Sequence, residues 1–451
     1  MTMSNKIMAL LALALAAGTA AAGSAAPVVD GPAVAAQVSF EIAIFYPAHP
    51  SVDPKTALRT RLAAAGMPRL VEHPERSVQA PAVAGLWIAH AAKDYEPPSL
   101  DMLKYFARGL SPEQSAGLAK AGEAYVMDFV HPGKDRMAAL RNAQVLAEQV
   151  ARDTNGLLWD ADTREAFSPD KWHERRVLGW EGDLPDVLRH TVMHFYRDGQ
   201  TFRAVTLGMG KFGEPDLVIE DMLASDSRGL GEVVNVVAQS LVEGAHTDAK
   251  GQLVLTLQRS RHTGVNKWEG EDLKANARKT AALLLVHGVP QDGDADNRLV
   301  RIAFDRQEGP DEHSRQTALV AALFGSEDHV AHIRHDEKLL AARDAARAKL
   351  PALRDTFNRG LAPGEYIDVK APFATDSGGR EWMWVEVRAW KGDRIEGTLQ
   401  NEPDDVKRLR SGQDVVVSQA ELFDYIFHRA GGKVEGNTTG AIIEEMQREG
   451  H

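Results

Sequence analysis

Residues 380–426 read REWMWVEVRAWKGDRIEGTLQNEPDDVKRLRSGQDVVVSQAELFDYI, and this stretch decides the fold that we predict for the C-terminal part of the chain. From Met383 onward, small or apolar side chains alternate with large or charged ones, the period-2 pattern of a half-buried strand. A short connection at 391–393 joins this strand to a second alternating segment, which predicts a hairpin. Asp414–Ser418 predicts a third strand. Together these segments indicate a small, β-rich, barrel-like domain.

Three tryptophans of this stretch are predicted to lie on the strand face opposite Val385 and Val387. Exposed aromatic rings beside charged groups are typical of a surface that contacts a ligand or a protein. The alternative is that this face is covered, either by the segment near Phe423 or by the N-terminal domain. Asp424 beside Tyr425 suits acid–base chemistry or the capping of a turn equally well. The candidate contact residues are Trp382, Trp384, Glu386, Arg388, Trp390, Asn401, Asp424 and Tyr425.

Several short motifs between Gly364 and Gly440 occur in the order seen in one bacterial family. They include REWMWVEV at 380–387, GTLQNEP at 397–403, FDYI at 423–426 and EGN at 435–437. Over this part, the chain resembles the YegJ-like domain of unknown function. The resemblance implies a shared C-terminal domain, and it implies no established activity, cofactor or catalytic residue.

The N-terminus has the pattern of a secretory signal peptide. Lys6 precedes a short apolar run, and small residues follow as far as Ala22. The run is too short to span a bilayer with any margin, which argues against a membrane anchor. We therefore expect cleavage near Ala22, a periplasmic or secreted mature protein, and no integral membrane segment after cleavage.

Composition narrows the possible functions. The chain contains 0 cysteines, which excludes disulfides, thiol nucleophiles and cysteine-based metal sites. Its formal net charge of -12 disfavours unspecific binding to nucleic acid or anionic lipid. A length of 451 residues with 44% hydrophobic residues indicates two or three globular domains. We predict no cofactor and no metal.

Strands and helices alternate over residues 38–260, which predicts an α/β or α+β domain, possibly ferredoxin-like. A middle helical region follows, with helices predicted at 271–286 and at 326–358, the second broken near Pro351. With the β-rich C-terminal domain, the whole chain is predicted to be α+β. The predicted organisation is a signal peptide at 1–22, a flexible leader at 23–37, the N-terminal domain at 38–260, the middle region at 261–358, the C-terminal domain at 359–441 and a tail at 442–451.

Three other motifs suggest chemistry. Gly208-Met209-Gly210-Lys211-Phe212-Gly213 fits a dinucleotide fingerprint, but a strand-like segment follows where a helix should begin, which favours a turn between strands. Ser168-Pro169-Asp170-Lys171 matches the nucleophile motif of penicillin-recognising enzymes, yet Ser-Pro-Asp is also typical of a helix start. His329, His332 and His335 recur every third residue and wind around a helix, which favours a solvated face over a zinc site.

These observations lead to three functional hypotheses. The first is a non-catalytic binding or accessory protein of the cell envelope, whose partner is an unknown protein or small molecule. The alternative is a hydrolase of envelope material, with carboxylates or histidines assembled between domains. Two carboxyl groups with raised pKa values in a deep cleft would favour the hydrolase, and a filled interface there would count against it. The third possibility is a structural scaffold.

Overall fold

The computed structural model describes residues 26–64, 71–73, 85–91, 95–198, 201–224, 226–271, 273–274, 276–309, 311–325, 337–375 and 380–442. Three main sheets with helices packed on them occupy these ranges, which confirms the predicted α+β class. The predicted signal peptide and His329, His332 and His335 lie outside the described residues.

The first sheet is built around a central strand that is apolar on both faces. Its elements, with a short two-stranded ladder after it, are β1 (Gln37–Tyr46), α1 (Pro54–Ala64), β2 (Val71–His73), β3 (Gly85–Ala91), α2 (Leu100–Phe106), β4 (Ala107–Arg108), α3 (Pro112–Leu118), β5 (Glu123–Pro132), α4 (Arg136–Thr154), β6 (Leu157–Asp160), β7 (Glu165–Phe167), α5 (Pro169–Trp172), β8 (Trp180–Glu181) and β9 (Leu184–Pro185).

The strand order of this sheet is β2-β3-β5-β1-β6-β7-β4. On one face of β1, Ile42 and Ile44 belong to the core that also holds Leu58 of α1 and Leu140 of α4. The strands β3, β5, β1 and β6 pair antiparallel, and α1 and α4 connect β1 to the following strands and β5 to β6. This is the order expected of a ferredoxin-like β-α-β-β-α-β unit.

The second sheet contains six strands and packs on α6. Its elements are β10 (Val192–Asp198), β11 (Thr201–Leu207), β12 (Asp216–Met222), α6 (Ser227–Val242), β13 (Gln252–Thr256), α7 (Thr263–Glu271), β14 (Thr280–His287), β15 (Leu299–Ala303) and α8 (Glu312–Phe324), in the strand order β10-β11-β12-β15-β14-β13.

The helix predicted at 271–286 is wrong, because α7 ends at Glu271 and residues 280–286 lie in β14. Its apolar run is short, and such runs do not distinguish a helix from a buried strand by periodicity. Pairing decides the outcome: β14 is hydrogen-bonded to β13 on one side and to β15 on the other. The second sheet therefore continues across residue 260, where the sequence suggested a domain boundary.

Residues 26–36, predicted to form a flexible leader, instead contact the second sheet. The backbone N–H of Val29 donates to the carbonyl of Leu285 at 3.0 Å. Val28 and Val286 form an antiparallel bridge. Val29 is buried in the same core as α6.

The third sheet has one long helix against it. Its elements are α9 (Glu337–Arg359), β16 (Tyr366–Ala374), β17 (Arg380–Lys391), β18 (Arg394–Leu399), β19 (Asp414–Ser418), β20 (Asp424–His428) and β21 (Val434–Gly436), in the strand order β19-β18-β17-β16-β20-β21. The hairpin of β17 and β18 and the strand β19 are confirmed. The predicted break at Pro351 is wrong, because α9 runs through that residue, with Leu350 and Leu353 buried against the sheet.

Two motifs have the structural roles predicted for them. Residues 208–213 form the turn between β11 and β12, with Gly208 and Gly213 at φ values of 104° and 74° that suit glycine. Ser168 is the N-cap of α5, and its hydroxyl accepts a hydrogen bond from the backbone N–H of Lys171 at 3.3 Å.

A buried ion network joins the first sheet to the turn at 208–213, between β11 and β12. Arg176 donates to Asp160 at 2.9 Å and to Glu165 at 2.7 Å, while Lys211 donates to Asp160 at 2.6 Å. All four residues are buried. Buried charges are tolerated when each has a hydrogen-bonded partner of opposite sign, so the network depends on every member.

Arg176→Ala is expected to lower the free energy of unfolding by about 3–5 kcal/mol, because it leaves buried carboxylates without their cation. Urea unfolding followed by circular dichroism measures the effect. Arg61→Ala is the matched control, since Arg61 pairs with Asp153 at a partly exposed position and such pairs contribute about 1 kcal/mol or less. A loss for Arg176→Ala no larger than that of the control would contradict this role.

Candidate functional site

The third sheet has one apolar face and one mixed face. On the apolar face, Met383, Val385 and Val369 are buried together with Leu350 of α9. The apolar set of residues that alternation predicted in β17 is thus covered by a helix of the same domain. The mixed face carries charged and aromatic residues that the sequence predicts to contact a ligand or a protein.

A bulge in β17 moves one predicted contact residue to the apolar face. Val387 pairs with Gly397, whereas Ala389 pairs with Glu396, so Arg388 is an extra residue in the ladder. After an extra residue the alternation reverses, and Trp390 faces inward. The tryptophan is 2% exposed. The prediction that Trp390 lies on the face opposite Val387 is therefore wrong.

Gly397 makes this bulge possible. A Cβ atom at this position would lie 2.2 Å from the carbonyl oxygen of Glu386 in the neighbouring strand. No side chain fits at such a distance, so the close approach of the two strands requires glycine.

One half of the mixed face, which we call the carboxylate half, consists of Asp368, Glu386, Tyr366 and His428. Asp368 and Glu386 are opposite each other in β16 and β17, and both are buried. Oδ2 of Asp368 lies 3.0 Å from Nε2 of His428. The ring of His428 stacks on Tyr366 at a centroid distance of 4.0 Å. This half therefore holds acidic groups in a largely dry environment.

The carboxylate half adjoins the second-sheet part of the chain. Tyr366 packs against the core that contains α6. Asp226, the residue before α6, interacts electrostatically with Asp368. Both residues have a buried carboxylate oxygen, Oδ2 of Asp226 and Oδ1 of Asp368, that receives no hydrogen bond from the described residues.

Arg388, the bulge residue, is part of a second contact at the same boundary. Its guanidinium donates to Asp414 at 2.6 Å. Asp414 in turn lies 3.8 Å from Nδ1 of His313 in α8, and its backbone N–H donates to Asp311 at 3.3 Å. Burial disfavours the charged form of His313, but Asp221 and Asp414 outweigh it and raise the pKa of His313. Asp414 thus links the third sheet to α8, and Arg388 holds Asp414 from within the sheet.

Burial raises the pKa of both Asp226 and Asp368. It raises the pKa of Asp226 to about 6, with His313 opposing the shift and Asp368 adding to it. Burial also raises the pKa of Asp368, although the hydrogen bond to His428 lowers it in part. Desolvation disfavours the ionised form of any carboxyl group, which explains the common direction.

The other half of the mixed face, which we call the aromatic half, consists of Trp382, Trp384, Lys370 and Phe423. Trp382 packs on Phe423 with ring centroids 4.7 Å apart, and both Trp382 and Trp384 are partly exposed. The amino group of Lys370 lies 5.4 Å from the centre of the Trp384 ring. Two partly exposed indoles thus flank a buried cation.

The remaining predicted site residues have structural roles. The side chain of Asn401 accepts a hydrogen bond from the backbone N–H of Trp384 at 2.6 Å. Asp424 accepts hydrogen bonds from the backbone and the hydroxyl of Thr439 at 2.7 and 2.6 Å, so it caps the segment that begins there. The hydroxyl of Tyr425 donates to Glu435 at 3.2 Å. These contacts hold the edges of the sheet in place.

Sequence reasoning missed Lys370, Asp368, Asp226 and His428. A signal for the first two was present, because Ile367, Val369, Ala371 and Phe373 alternate with them as a half-buried strand should. No comparable signal linked Asp226 or His428 to that strand, since their proximity arises from the packing of distant segments.

A metal centre or a membrane-spanning helix would each point to a particular class of function. Within the described ranges, no group of three or more histidine or acidic side chains is arranged to hold a metal ion. None of the helices in the part of the chain that the structure describes is long and apolar enough to cross a membrane.

Comparison with known proteins adds one finding. Residues 336–451 match a family described as "Uncharacterized protein conserved in bacteria (DUF2314)". The match begins just before α9 and includes the whole third sheet, so α9 and the sheet belong to one conserved unit. Neither the curated proteins nor the solved structures yielded a match.

Asp226→Asn is expected to stabilise the protein above about pH 6 and to have little effect below about pH 4. The folded-state pKa of Asp226, about 6, exceeds the ordinary value of 3.8. The stability that the protonated carboxyl contributes is therefore full at low pH and is lost as pH rises through the folded-state pKa. Urea midpoints across this range measure the difference from the native protein.

The control is Asp292→Asn, which changes an exposed aspartate. The difference in urea midpoint between this variant and the native protein should stay constant with pH. A constant difference for Asp226→Asn as well would show that Asp226 is not desolvated at this boundary.

Proposed function

We propose that this is an exported, non-catalytic binding protein of the bacterial cell envelope, with a YegJ-like C-terminal domain that contacts the ligand or partner through the aromatic half. The observation that carries the proposal is the partial exposure of Trp382 and Trp384 beside the buried Lys370. The carboxylate half of the same face is occupied by contacts within the protein. The aromatic half is the part of this face that keeps exposed indoles.

Indole rings suit such a role for physical reasons. Each offers a large rigid surface whose binding immobilises few rotatable bonds, and tryptophan is enriched among residues that dominate binding energy. Phe423 packs on the ring of Trp382, and Asn401 fixes the backbone of Trp384, so this part of the face is ordered before a ligand arrives. Preorganisation of this kind lowers the entropic cost of binding.

The alternative function, a hydrolase, draws on Asp226 and Asp368, whose raised pKa values resemble those of catalytic carboxyl groups. Asp368 and Glu386 are buried, however, where the third sheet meets the rest of the chain. A substrate could reach them only if these parts separated. Because neither carboxylate is open to a substrate, their burial favours the binding protein over the hydrolase.

Export predicts a defined mature N-terminus. When the full chain is expressed in a bacterium, the protein is expected in the periplasm or medium, with a mass that corresponds to cleavage near Ala22. Replacing Leu11 and Leu13 in the apolar run with Asp should keep the uncleaved chain in the cytoplasm, because the signal sequence requires that run. An uncleaved native chain found in the cytoplasm would refute export.

The double variant Trp382→Ala/Trp384→Ala is expected to lose binding of an envelope component by at least about tenfold, since each buried aromatic anchor is worth about 2 kcal/mol or more. Immobilised mature protein is incubated with a solubilised envelope fraction, and the retained component is purified and titrated back by calorimetry. Circular dichroism confirms that the variant is folded.

Tyr105→Ala is the matched control, because Tyr105 is 75% exposed and lies in α2, far along the chain from the third sheet. It should bind like the native protein. Equal affinity of the double variant and the native protein for the purified component would contradict the proposed contact through Trp382 and Trp384.

A further inference from the structure

We propose that Lys370 makes the aromatic half selective for ligands that carry an anionic oxygen group, a carboxylate or a phosphate, next to a planar or apolar part. The inference rests on the proposed function, since it assigns a ligand class to the same surface. It follows from where the residue lies and from what its neighbours already bind.

In the part of the chain that the structure describes, Lys370 is a buried cation that forms no ion pair. Only 6% of its surface is exposed. Within the described residues, its amino group forms no hydrogen bond or ion pair, and its contact is with the ring of Trp384 at 5.4 Å. An ammonium group has three N–H donors, and in this mostly buried side chain they have no acceptor among the described residues.

The acidic side chain that attracts Lys370 already accepts hydrogen bonds from other groups. Asp424 is opposite Lys370 in the ladder between β16 and β20. One of its oxygens accepts from the backbone N–H of Tyr425 at 2.8 Å, and the other accepts from the backbone and hydroxyl of Thr439. Asp424 attracts Lys370 electrostatically, but burial prevails and lowers the pKa of the lysine.

The contact with Trp384 compensates only in part. A cation over an indole face regains less than an ion loses when its side chain is largely removed from water. An anionic oxygen from a ligand would supply the missing hydrogen-bond acceptor and the missing charge together. Hydrogen bonds to charged groups contribute about 1.5–3 kcal/mol, or roughly tenfold to a hundredfold in affinity.

The surroundings also define the rest of the ligand. Trp382 and Trp384 are partly exposed on the same face, so a group attached to the anion meets two indole rings. Flat or apolar groups stack on such rings. The expected ligand therefore combines an acidic group with a ring or another apolar part.

The test uses three small probes that share a phenyl ring: benzoate, phenyl phosphate and benzamide. Saturation-transfer NMR on the full mature protein measures their affinities. We expect at least one of the anions to bind about tenfold or more tightly than neutral benzamide. In Lys370→Met, which keeps the length of the side chain without its charge, that anion should bind no better than benzamide. Lys391→Met, at an exposed lysine of β17, is the control and should leave the preference unchanged.

The possible outcomes distinguish the role of Lys370 from the proposed binding function of the aromatic half. Preference for benzoate alone or for phenyl phosphate alone supports the inference and identifies the acidic group. Equal binding of anions and benzamide, lost in Trp384→Ala, overturns the role of Lys370 while the aromatic contact stands. Anion preference that persists in Lys370→Met and in Lys370→Gln also overturns the inference. Failure of all three probes to bind the native protein overturns both proposals.

Discussion

The bulge at Arg388, next to the paired residues Val387 and Gly397, is the constraint on which the mixed face of the third sheet depends. Because one extra residue reverses the alternation, Trp390 enters the apolar core and its indole N–H donates to Gln419 at 2.9 Å. Without the bulge, a third indole would occupy the mixed face. The extra residue itself, Arg388, pairs with Asp414 at the boundary with α8.

The mixed face consequently divides into two halves with different physical characters. The carboxylate half contains Asp368 and Glu386, which are both buried. Asp368 interacts electrostatically with Asp226, the residue before α6, and burial keeps the pKa of Asp368 raised. The aromatic half keeps Trp382 and Trp384 partly exposed around Lys370. One side of a single sheet thus serves domain contact at one end and, on our proposal, ligand contact at the other.

Local patterns in the sequence predicted much of this fold. Alternation revealed β17, β18 and β19, and the Ser168 cap and the 208–213 turn follow from short-range rules. The bulge was not predictable from alternation, since Arg388 continues the polar pattern and only Gly397 hints at a close approach. The short apolar run of β14 was mistaken for a helix because pairing partners are not visible locally. The meeting of Asp226 with Asp368 depends on tertiary packing, which no spacing rule encodes.

Hydroxyl-radical footprinting with mass spectrometry tests the division of the mixed face most directly. Trypsin cleaves after Arg380, Arg388 and Lys391, so Trp382 and Trp384 fall in one peptide and Trp390 in another. We predict that Trp382 and Trp384 are oxidised several times faster than Trp390 in the native protein, because oxidation of a side chain requires access to solvent. Equal protection of all three tryptophans, or faster oxidation of Trp390, would contradict the account.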